Sequence, residues 1–399
     1  MRHRARSRVV VVQPYLPGYR TRFFERAHER LDARGVALEV LHGPPPPGQD
    51  ARRDAASCSC ATEVPTTRLL TVGSVSVDWH RVGRRVGSAD AVVLEQALHS
   101  LEAFPLALRR RRATRRRRVP AVAFWGHGRT YTRPVNRVEA RVKDALTRQG
   151  NWFFAYTEGG ADHLARRGFP RDRITVVRNS VDTVALVQAR DRACRRDTAE
   201  YAQADALRQR YGLTPGRTAL YLGGLDAPKR ISFLLDSVVR IAGELPGFRL
   251  LVAGEGMHRN LVDAAAARPG SPVIPLGRVT GADTAVLGAV SDVMLMPGRV
   301  GLCAVDSFAL RTPIVTTDWP WHAPEFEYLV HGRNALVVPD ALDAYSAAVV
   351  ALLRDDDRLA SLRAACTRNA AEYTIEGMAE RFCDGVMAML ASRDGGSDR

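Results

Sequence analysis

The strongest constraint in this sequence is a cycle that repeats between Ala219 and Asp340: an apolar strand, a glycine-rich or polar turn, and then a helix. Such alternation predicts a parallel sheet covered by helices on both faces. Glycines let backbone amides approach phosphates, and helix N-termini add positive potential. Ligands of such sheets bind outside the carboxyl ends of the strands. We therefore expect a phosphate-bearing ligand at that edge of the sheet.

Three turns carry most of this signal, and each follows a strand. The runs are Tyr-Leu-Gly-Gly-Leu-Asp-Ala-Pro-Lys-Arg at 221–230, Leu-Leu-Val-Ala-Gly-Glu-Gly at 250–256 and Met-Pro-Gly-Arg-Val-Gly-Leu-Cys-Ala-Val-Asp at 296–306.

The first half of the chain also alternates strands and helices, which predicts a second doubly wound domain. The polar stretch 191–209 has no apolar run of strand type, so the domain boundary is expected near it. The predicted division is an N-terminal domain at 1–195 and a C-terminal domain at 210–375. A last amphipathic helix at 376–391 is expected to be able to return to the N-terminal domain.

Length and composition agree with two domains. The chain has 399 residues, of which 46% are hydrophobic, enough for two ordinary cores. No stretch approaches the roughly 18 apolar residues of a membrane span, and the strand Val9–Val12 is too short for a signal-peptide core. We expect a cytoplasmic protein. Cys58 and Cys60 lie close together, but without a second pair they indicate neither a zinc site nor a disulfide scaffold.

The net charge of +15 favours anionic partners. Eight of the ten residues from Arg109 to Arg118 are arginine. This run fits a solvated basic loop and an anionic membrane surface equally well, and the second interpretation would place the protein at the inner face of the membrane. Nucleic acid is not an expected partner, because no stacking motif, zinc module or recognition helix accompanies the charge.

The run from Ala219 to Asp340, together with Asn-Ser-Val-Asp at 179–182, resembles the retaining glycosyltransferases of family 4, the glycosyl transferases group 1. The resemblance implies a GT-B fold, in which two Rossmann-like domains face each other across a cleft. It also implies a nucleoside diphosphate sugar as donor, UDP- or GDP-linked, held mainly by the C-terminal domain. The acceptor would be a glycan, a lipid-linked sugar or a small molecule on the N-terminal domain. Neither a metal nor another cofactor is implied.

Within this resemblance, Lys229 stands where the family places the lysine that binds the donor diphosphate. Arg230 is expected to assist, because the arginine that the family carries earlier in the turn is replaced here by Gly224 or Leu225. Without a metal, cations and helix N-termini must stabilise the leaving diphosphate. A surface Lys-Arg pair is the alternative, although cations are unfavourable at a helix N-terminus without an anion.

The chain departs from the family at its Glu-x7-Glu signature. Aligning Gly301 and Leu302 with the signature places Gly298 at the first glutamate and Asp306 at the second. Asp306 can accept hydrogen bonds from the ribose hydroxyls. The first glutamate normally contacts the sugar, so His322 and Glu325 are candidates to replace it. For Glu325, a carboxylate that only stabilises a helix N-terminus is the competing interpretation.

Backbone groups complete the expected donor site. They are the amides of Val300, Gly301 and Leu302, the turns at Gly223, Gly224, Gly254 and Glu255, and the nucleobase-reading backbone at Arg278 and Val279.

The N-terminal domain is expected to contribute two groups. Gly18, in the run Pro17–Arg20, resembles the family's glycine loop, whose amides approach the phosphate or the acceptor. His127 follows a buried strand between glycines, at a position where similar enzymes keep a histidine near the reacting sugar. A purely structural histidine is the alternative.

Two other functions remain open at this point. A nucleotide-sugar epimerase or hydrolase could use the same fold without an acceptor, whereas a phosphorylase would need a longer chain and pyridoxal phosphate. A basic nucleic-acid-binding protein is the alternative from another class. Kinases and dinucleotide oxidoreductases are disfavoured, because neither a Walker motif nor a Gly-x-Gly-x-x-Gly run opens a strand–helix unit.

Overall fold

The computed structural model describes residues 6–45, 56–72, 75–96 and 119–394. The chain divides into two compact units. The first contains the residues up to Asn179 and those from Ile375 onward, and the second runs from Ser180 to Thr374. The arginine run at 109–118 lies outside the described residues.

The first unit alternates strands and helices, as the sequence predicts. Its elements are β1 (Ser7–Gln13), α1 (Gly18–Ala33), β2 (Val36–His42), β3 (Ala61–Glu63), β4 (Thr66–Val72), β5 (Val75–His80), α2 (Gly83–Gly87), β6 (Ala91–Glu95), β7 (Ala121–Gly126), α3 (Arg137–Thr147), β8 (Trp152–Ala155), α4 (Glu158–Arg166) and β9 (Ile174–Val176). The last helix of the chain, α13 (Ile375–Asp394), also belongs to this unit.

Seven of these strands form one parallel sheet in the order β3-β2-β1-β6-β7-β8-β9. Val9 and Val11 of β1 enter a core on one face of the sheet, and Val10 and Val12 enter a second core on the other. This period of two is what a strand buried on both faces requires. The antiparallel hairpin of β4 and β5 lies outside the sheet, and the sequence did not predict it.

Helix α13 packs on the first unit through both apolar and charged contacts. Phe382 lies in the core with Phe23, Trp125 and Phe154. At the surface, Arg30 pairs with Glu380 at 2.6 Å. The apolar face of α1 is therefore covered by the last helix of the chain.

The second unit contains six parallel strands in the order β12-β11-β10-β13-β14-β15. Its elements are α5 (Thr183–Arg192), α6 (Ala199–Tyr211), β10 (Thr218–Leu222), α7 (Ile231–Glu244), β11 (Arg249–Ala253), α8 (Arg259–Ala266), β12 (Val273–Gly277), α9 (Ala282–Val290), β13 (Val293–Leu295), α10 (Cys303–Leu310), β14 (Ile314–Thr317), β15 (Ala335–Val338), α11 (Leu342–Leu353) and α12 (Asp356–Glu372). The strand order reverses between β10 and β13, which is the topological switch point of a doubly wound sheet.

The division between the units falls earlier than the stretch 191–209 in which the sequence placed it. Helices α5 and α6 belong to the second unit because their apolar side chains pack on its core, including Leu186, Val187, Ala193 and Ala204. A polar composition concealed these contacts, since only a few small or aliphatic side chains make them. None of the helices in the described part of the chain is long and apolar enough to span a membrane.

Candidate functional site

The predicted donor residues gather at the switch point of the second sheet. Strands β10 and β13 are neighbours, and the turn after β10 carries Lys229 while the turn after β13 leads into α10. Because both strands are parallel, their carboxyl ends share one edge. Two segments separated by about 70 residues in sequence are thereby brought together.

Direct hydrogen bonds join these two turns. The Lys229 ammonium donates to the carbonyl of Arg299 at 2.6 Å, and the Arg299 amide donates to the carbonyl of Pro228 at 2.9 Å. Tyr221, in strand β10, holds the turn that follows this strand by donating its hydroxyl to the carbonyl of Gly224 at 2.6 Å. Lysine has three N–H donors, so one bond to Arg299 leaves donors for a ligand. Lys229 is also one of only two lysines in a chain with 58 basic residues.

Gly298 has no room for any side chain. A Cβ placed there would lie 2.5 Å from the carbonyl oxygen of Pro228 and 2.5 Å from the carbonyl carbon of Lys229. The backbone of the lysine turn occupies the volume that a glutamate side chain would need. The structure is therefore compatible with glycine, and not with glutamate, at the position that the resemblance aligns with the first glutamate.

Helix α10 begins beside this contact. One of the backbone amides that precede the helix, that of Val300, does not have the role that the sequence predicts. The Val300 N–H donates to Nδ1 of His322 at 3.0 Å, so the predicted role of this amide toward a diphosphate is not available in this arrangement. Leu302 is the N-cap, and the first turn of any helix leaves N–H groups without intrahelical acceptors. The positive end of the α10 dipole therefore lies next to Lys229.

His322 connects two backbone segments of the second unit through hydrogen bonds of its ring nitrogens. Its Nε2 donates to the carbonyl of Thr317 at 2.9 Å, Nδ1 accepts from Val300, and its ring stacks on Phe326 at 4.0 Å. Burial lowers the pKa of His322 to about 4, which keeps the ring neutral as this bonding pattern requires. Both ring nitrogens are engaged, so the structure does not support the predicted direct contact of His322 with a sugar.

Asp306 projects from the first turn of α10 near Lys229. Burial raises the pKa of this carboxyl to about 7, and the positive charge of Lys229 acts in the opposite direction. The side chain is half-buried. A carboxyl held in this balance is easily ionised by one further cation or hydrogen-bond donor, as a ribose hydroxyl would be.

Glu325 is a buried carboxylate at the same helix end. It lies in the 3-10 helix Pro324–Tyr328 and is only 3% exposed. A Cβ placed on Gly301 would lie 3.9 Å from its Oε2. Burial raises the pKa of the Cys303 thiol, and Glu325 is close enough to add to that rise. The segment after β14 therefore brings the Glu325 carboxylate to the N-terminus of α10. The turn after β13 cannot supply a carboxylate there, because Gly298 has no room for a side chain.

Arg230 has other partners than the expected diphosphate. Its guanidinium pairs with Asp340, donates to the carbonyl of Pro297 at 3.3 Å and lies 4.4 Å over the ring of Phe233. Its backbone is left-handed at φ 54° and forms the N-cap of α7. These contacts give Arg230 a structural role in holding the lysine turn against the turn after β13.

The turn after β11 is packed against the turn after β10, backbone to backbone. A Cβ on Gly254 would lie 1.9 Å from the carbonyl oxygen of Gly223, and the Leu225 amide donates to the carbonyl of Glu255 at 2.8 Å. The Glu255 side chain accepts from Arg259 at 2.6 Å. Gly254 is therefore required for the close contact of the two turns, whatever ligand binds there.

The remaining predicted donor residues follow β12. Arg278 is exposed and Val279 is partly buried against the core of the second unit. Strand β12 is at the edge of the sheet, and two strands, β11 and β10, lie between it and β13.

In the first unit, Gly18 and His127 both lie at the carboxyl edge of the sheet, after β1 and β7. Gly18 begins α1, and the half-buried His127 ring lies 5.1 Å from the ring of Tyr156. The sequence interpretation missed Arg20. This arginine is 4% exposed, donates to the Tyr156 hydroxyl at 3.1 Å, and lies over the ring of Trp125. Arg20 lies in the first turn of α1, and this position in the sequence could have indicated that it lies near the carboxyl edge of the sheet.

Among the described residues, no group of three or more histidine, cysteine, aspartate or glutamate side chains could hold a metal ion.

Comparison with known proteins identifies a domain in the second unit. Residues 216–355 match the family model described as Glycosyl transferases group 1, so the chain contains a domain of this kind. The matched segment includes the lysine turn, Gly298, Asp306 and Glu325. No curated protein matches the sequence significantly.

Solved structures show the same fold across nearly the whole chain. A glycosyltransferase from Rickettsia africae has a TM-score of 0.67 and 12% identity, covering 96% of this chain and 99% of that one. Alr3699/HepE of Anabaena in complex with UDP has a TM-score of 0.64 and 14% identity, covering 96% and 100%. The pneumococcal O-GlcNAc transferase GtfA in complex with UDP and GlcNAc has a TM-score of 0.64 and 10% identity, covering 97% and 100%. The predicted fold class, two Rossmann-like domains of the GT-B type, is confirmed.

Proposed function

We propose that the protein is a retaining glycosyltransferase of family 4 that moves a sugar from a nucleoside diphosphate sugar to an acceptor hydroxyl. The observation that carries the proposal is the position of Lys229, beside the N-terminus of α10 and at the switch point of a glycosyl transferases group 1 domain. A cation and a helix dipole at one point suit a diphosphate leaving group.

The structural relatives support a uridine nucleotide as donor. HepE is described in complex with UDP, with UDP and glucose, and with UDP-glucose, and GtfA with UDP and GlcNAc. We propose a UDP- or GDP-linked hexose for this chain, with Asp306 accepting hydrogen bonds from the ribose. The acceptor is proposed to be a glycan, a lipid-linked sugar or a small molecule.

Glu325 is proposed to take the place of the first signature glutamate toward the donor sugar. Gly298 cannot carry a side chain, whereas Glu325 reaches the same helix end from the segment after β14. A buried carboxylate can accept hydrogen bonds from sugar hydroxyls and stabilise the positive charge that develops on the sugar ring. His322 is proposed to position this segment rather than to contact the sugar.

The reaction is proposed to proceed without a metal and without a dedicated protein base. In front-face transfer, the bond between the anomeric carbon and the diphosphate oxygen breaks as the acceptor oxygen bonds to the same carbon. The leaving phosphate takes the acceptor proton. Lys229 and the α10 amides of Gly301 and Leu302 hold the charge that accumulates on the diphosphate. His127 and the Gly18 loop are proposed to act on the acceptor side.

Lys229→Ala tests the diphosphate role. Donor turnover, measured as release of nucleoside diphosphate, should fall about 100- to 1,000-fold, the usual cost of removing one donor that stabilises a developing anion. The control is Lys143→Ala, which removes the chain's other lysine from helix α3 in the first unit. Equal activity in both variants would remove Lys229 from the mechanism.

Glu325→Gln separates the sugar contact from nucleotide binding. This isosteric change should lower kcat strongly and leave the dissociation constant of UDP unchanged, because the carboxylate faces the sugar. Its control is Glu327→Gln, an exposed carboxylate two residues away. Thermal-shift screening of UDP, GDP and their sugars identifies the donor, since a ligand that binds the folded state raises the melting temperature. Product analysis distinguishes a transferase from an epimerase or a hydrolase.

A further inference from the structure

Helix α3 carries an apolar strip on its exposed side. Asn136 caps the helix by accepting from the Glu139 amide at 2.8 Å, and the opposite side carries the buried Thr147. The side chains of Val138 and Val142 are 69% and 45% exposed. With the exposed Ala145 they follow the spacing i, i+4, i+7, which places them in one line along the helix. We call these three residues the valine strip.

Two arginines that form no ion pair with any described residue lie beside the valine strip. The acidic residues of the helix are already neutralised, because Glu139 pairs with Arg133 and Asp144 pairs with Arg167. Arg137 and Arg141 are exposed and form no ion pair with a carboxylate in the described part of the chain. The face of α3 therefore presents aliphatic side chains with uncompensated positive charge next to them.

We propose that this face of α3 binds the surface of an anionic lipid bilayer. Helices that lie in the membrane interface combine an exposed apolar strip with basic residues beside it. The valines enter the boundary between headgroups and acyl chains, and the arginines contact the negative headgroups. This inference goes beyond the proposed transferase activity and does not require it, since no donor or acceptor takes part in the contact.

The same features disfavour other occupants. A second copy of the chain would place arginines opposite arginines across a two-fold interface, where like charges repel. Nucleic acid would attract the arginines but leaves the exposed valines without a favourable contact, since its groove and backbone contacts are polar. Only a partner that is both anionic and apolar satisfies the whole face.

Vesicle sedimentation without any nucleotide tests this proposal. The full chain should bind vesicles of phosphatidylglycerol and phosphatidylcholine, and should bind pure phosphatidylcholine weakly. The double variant R137Q/R141Q should reduce binding about 10- to 30-fold, as expected for two cations near an anionic surface. V138D/V142D should reduce it about 10-fold or more. The run at 109–118 stays unchanged in every variant.

The matched control is V239D, an aspartate at an exposed valine of α7 in the second unit. It should bind vesicles as the wild type does, and circular dichroism should show every variant folded. Wild-type binding to both lipid mixtures alike, or to neither, would overturn the proposal. A loss in R137Q/R141Q with full binding in V138D/V142D would also overturn it, because it would indicate attraction to any polyanion.

Discussion

Gly298 and Gly243 form a natural pair for testing close packing at single residues. A Cβ on Gly298 would lie 2.5 Å from backbone atoms of the lysine turn, whereas a Cβ on Gly243 in helix α7 has no atom within 4 Å. The same substitution should therefore have opposite effects at the two sites.

Gly298→Ala should destabilise the protein by about 1–3 kcal/mol, because overpacking forces the backbone of the turn to shift. It should also lower donor affinity by moving Lys229. Gly243→Ala should be neutral or stabilise by about 0.5 kcal/mol, since alanine is the better helix former. Chemical unfolding measures both values, and a neutral Gly298→Ala would mean that the two turns are not in close contact.

The candidate site could be read from the sequence only where the side chain itself carries the information. Lys229 and Asp306 were predicted through the family resemblance, which aligns these single side chains with known roles. The role of Val300 was not, because the acceptor of its amide, His322, comes from a different turn. Arg230 has a partner that the sequence did not indicate, for the same reason: Asp340 lies 110 residues away in sequence. Long-range partners decide which predicted donors remain available to a ligand.

At the scale of secondary-structure elements, helix α13 stabilises the first unit through Phe382. Its ring is fully buried and lies 4.7 Å from the ring of Phe154, with Phe23 and Trp125 also in contact. A large aromatic side chain in such a position contributes both transfer energy and packing.

Phe382→Ala should reduce the free energy of unfolding by about 3–5 kcal/mol. The exposed Val239→Ala should change it by less than about 0.5 kcal/mol. Urea titration followed by circular dichroism gives both numbers. A loss below about 1 kcal/mol for Phe382→Ala would show that α13 is only loosely attached to α1 and the sheet.

Most elements were predictable, because buried parallel strands are short apolar runs and their helices follow with regular spacing. The hairpin of β4 and β5 was not. Its strands contain Thr66, Arg68 and Asp78 among the apolar residues, which hid their strand character. The two-residue turn signal Gly73-Ser74 between the strands was overlooked. The division of the chain was also placed too late, since α5 and α6 contact the second core through few large side chains.

For the molecule as a whole, the half-buried Asp306 and the buried His322 set opposing pH dependences of stability. Asp306 has a pKa of about 7 when folded, above the usual value near 3.9, so its contribution to stability decreases as the pH rises from about 4 to 7. His322 has a pKa of about 4, below the usual value near 6.5, so its contribution decreases as the pH falls from about 6.5 to 4.

Removing Asp306 and removing His322 should therefore change the dependence of the melting temperature on pH in opposite directions. Relative to wild type, the melting temperature of Asp306→Asn should improve as the pH rises from 5 to 7.5. That of His322→Asn should improve as the pH falls over the same range, although its absolute value is lower because the bond to Val300 is weakened. Differential scanning calorimetry at both pH values measures the two changes. Parallel profiles for all three proteins would show that neither group is buried in its stated protonation state.

The placement of α13 also has a consequence for how the chain matures in the cell. The second unit is one uninterrupted segment from Ser180 to Thr374, but the first needs residues on both sides of it. As the polypeptide leaves the ribosome, the aromatic surface around Phe23 stays uncovered until the residues from Ile375 onward have been synthesised. A product truncated before Ile375 would keep that surface open and should be a ready substrate for chaperones.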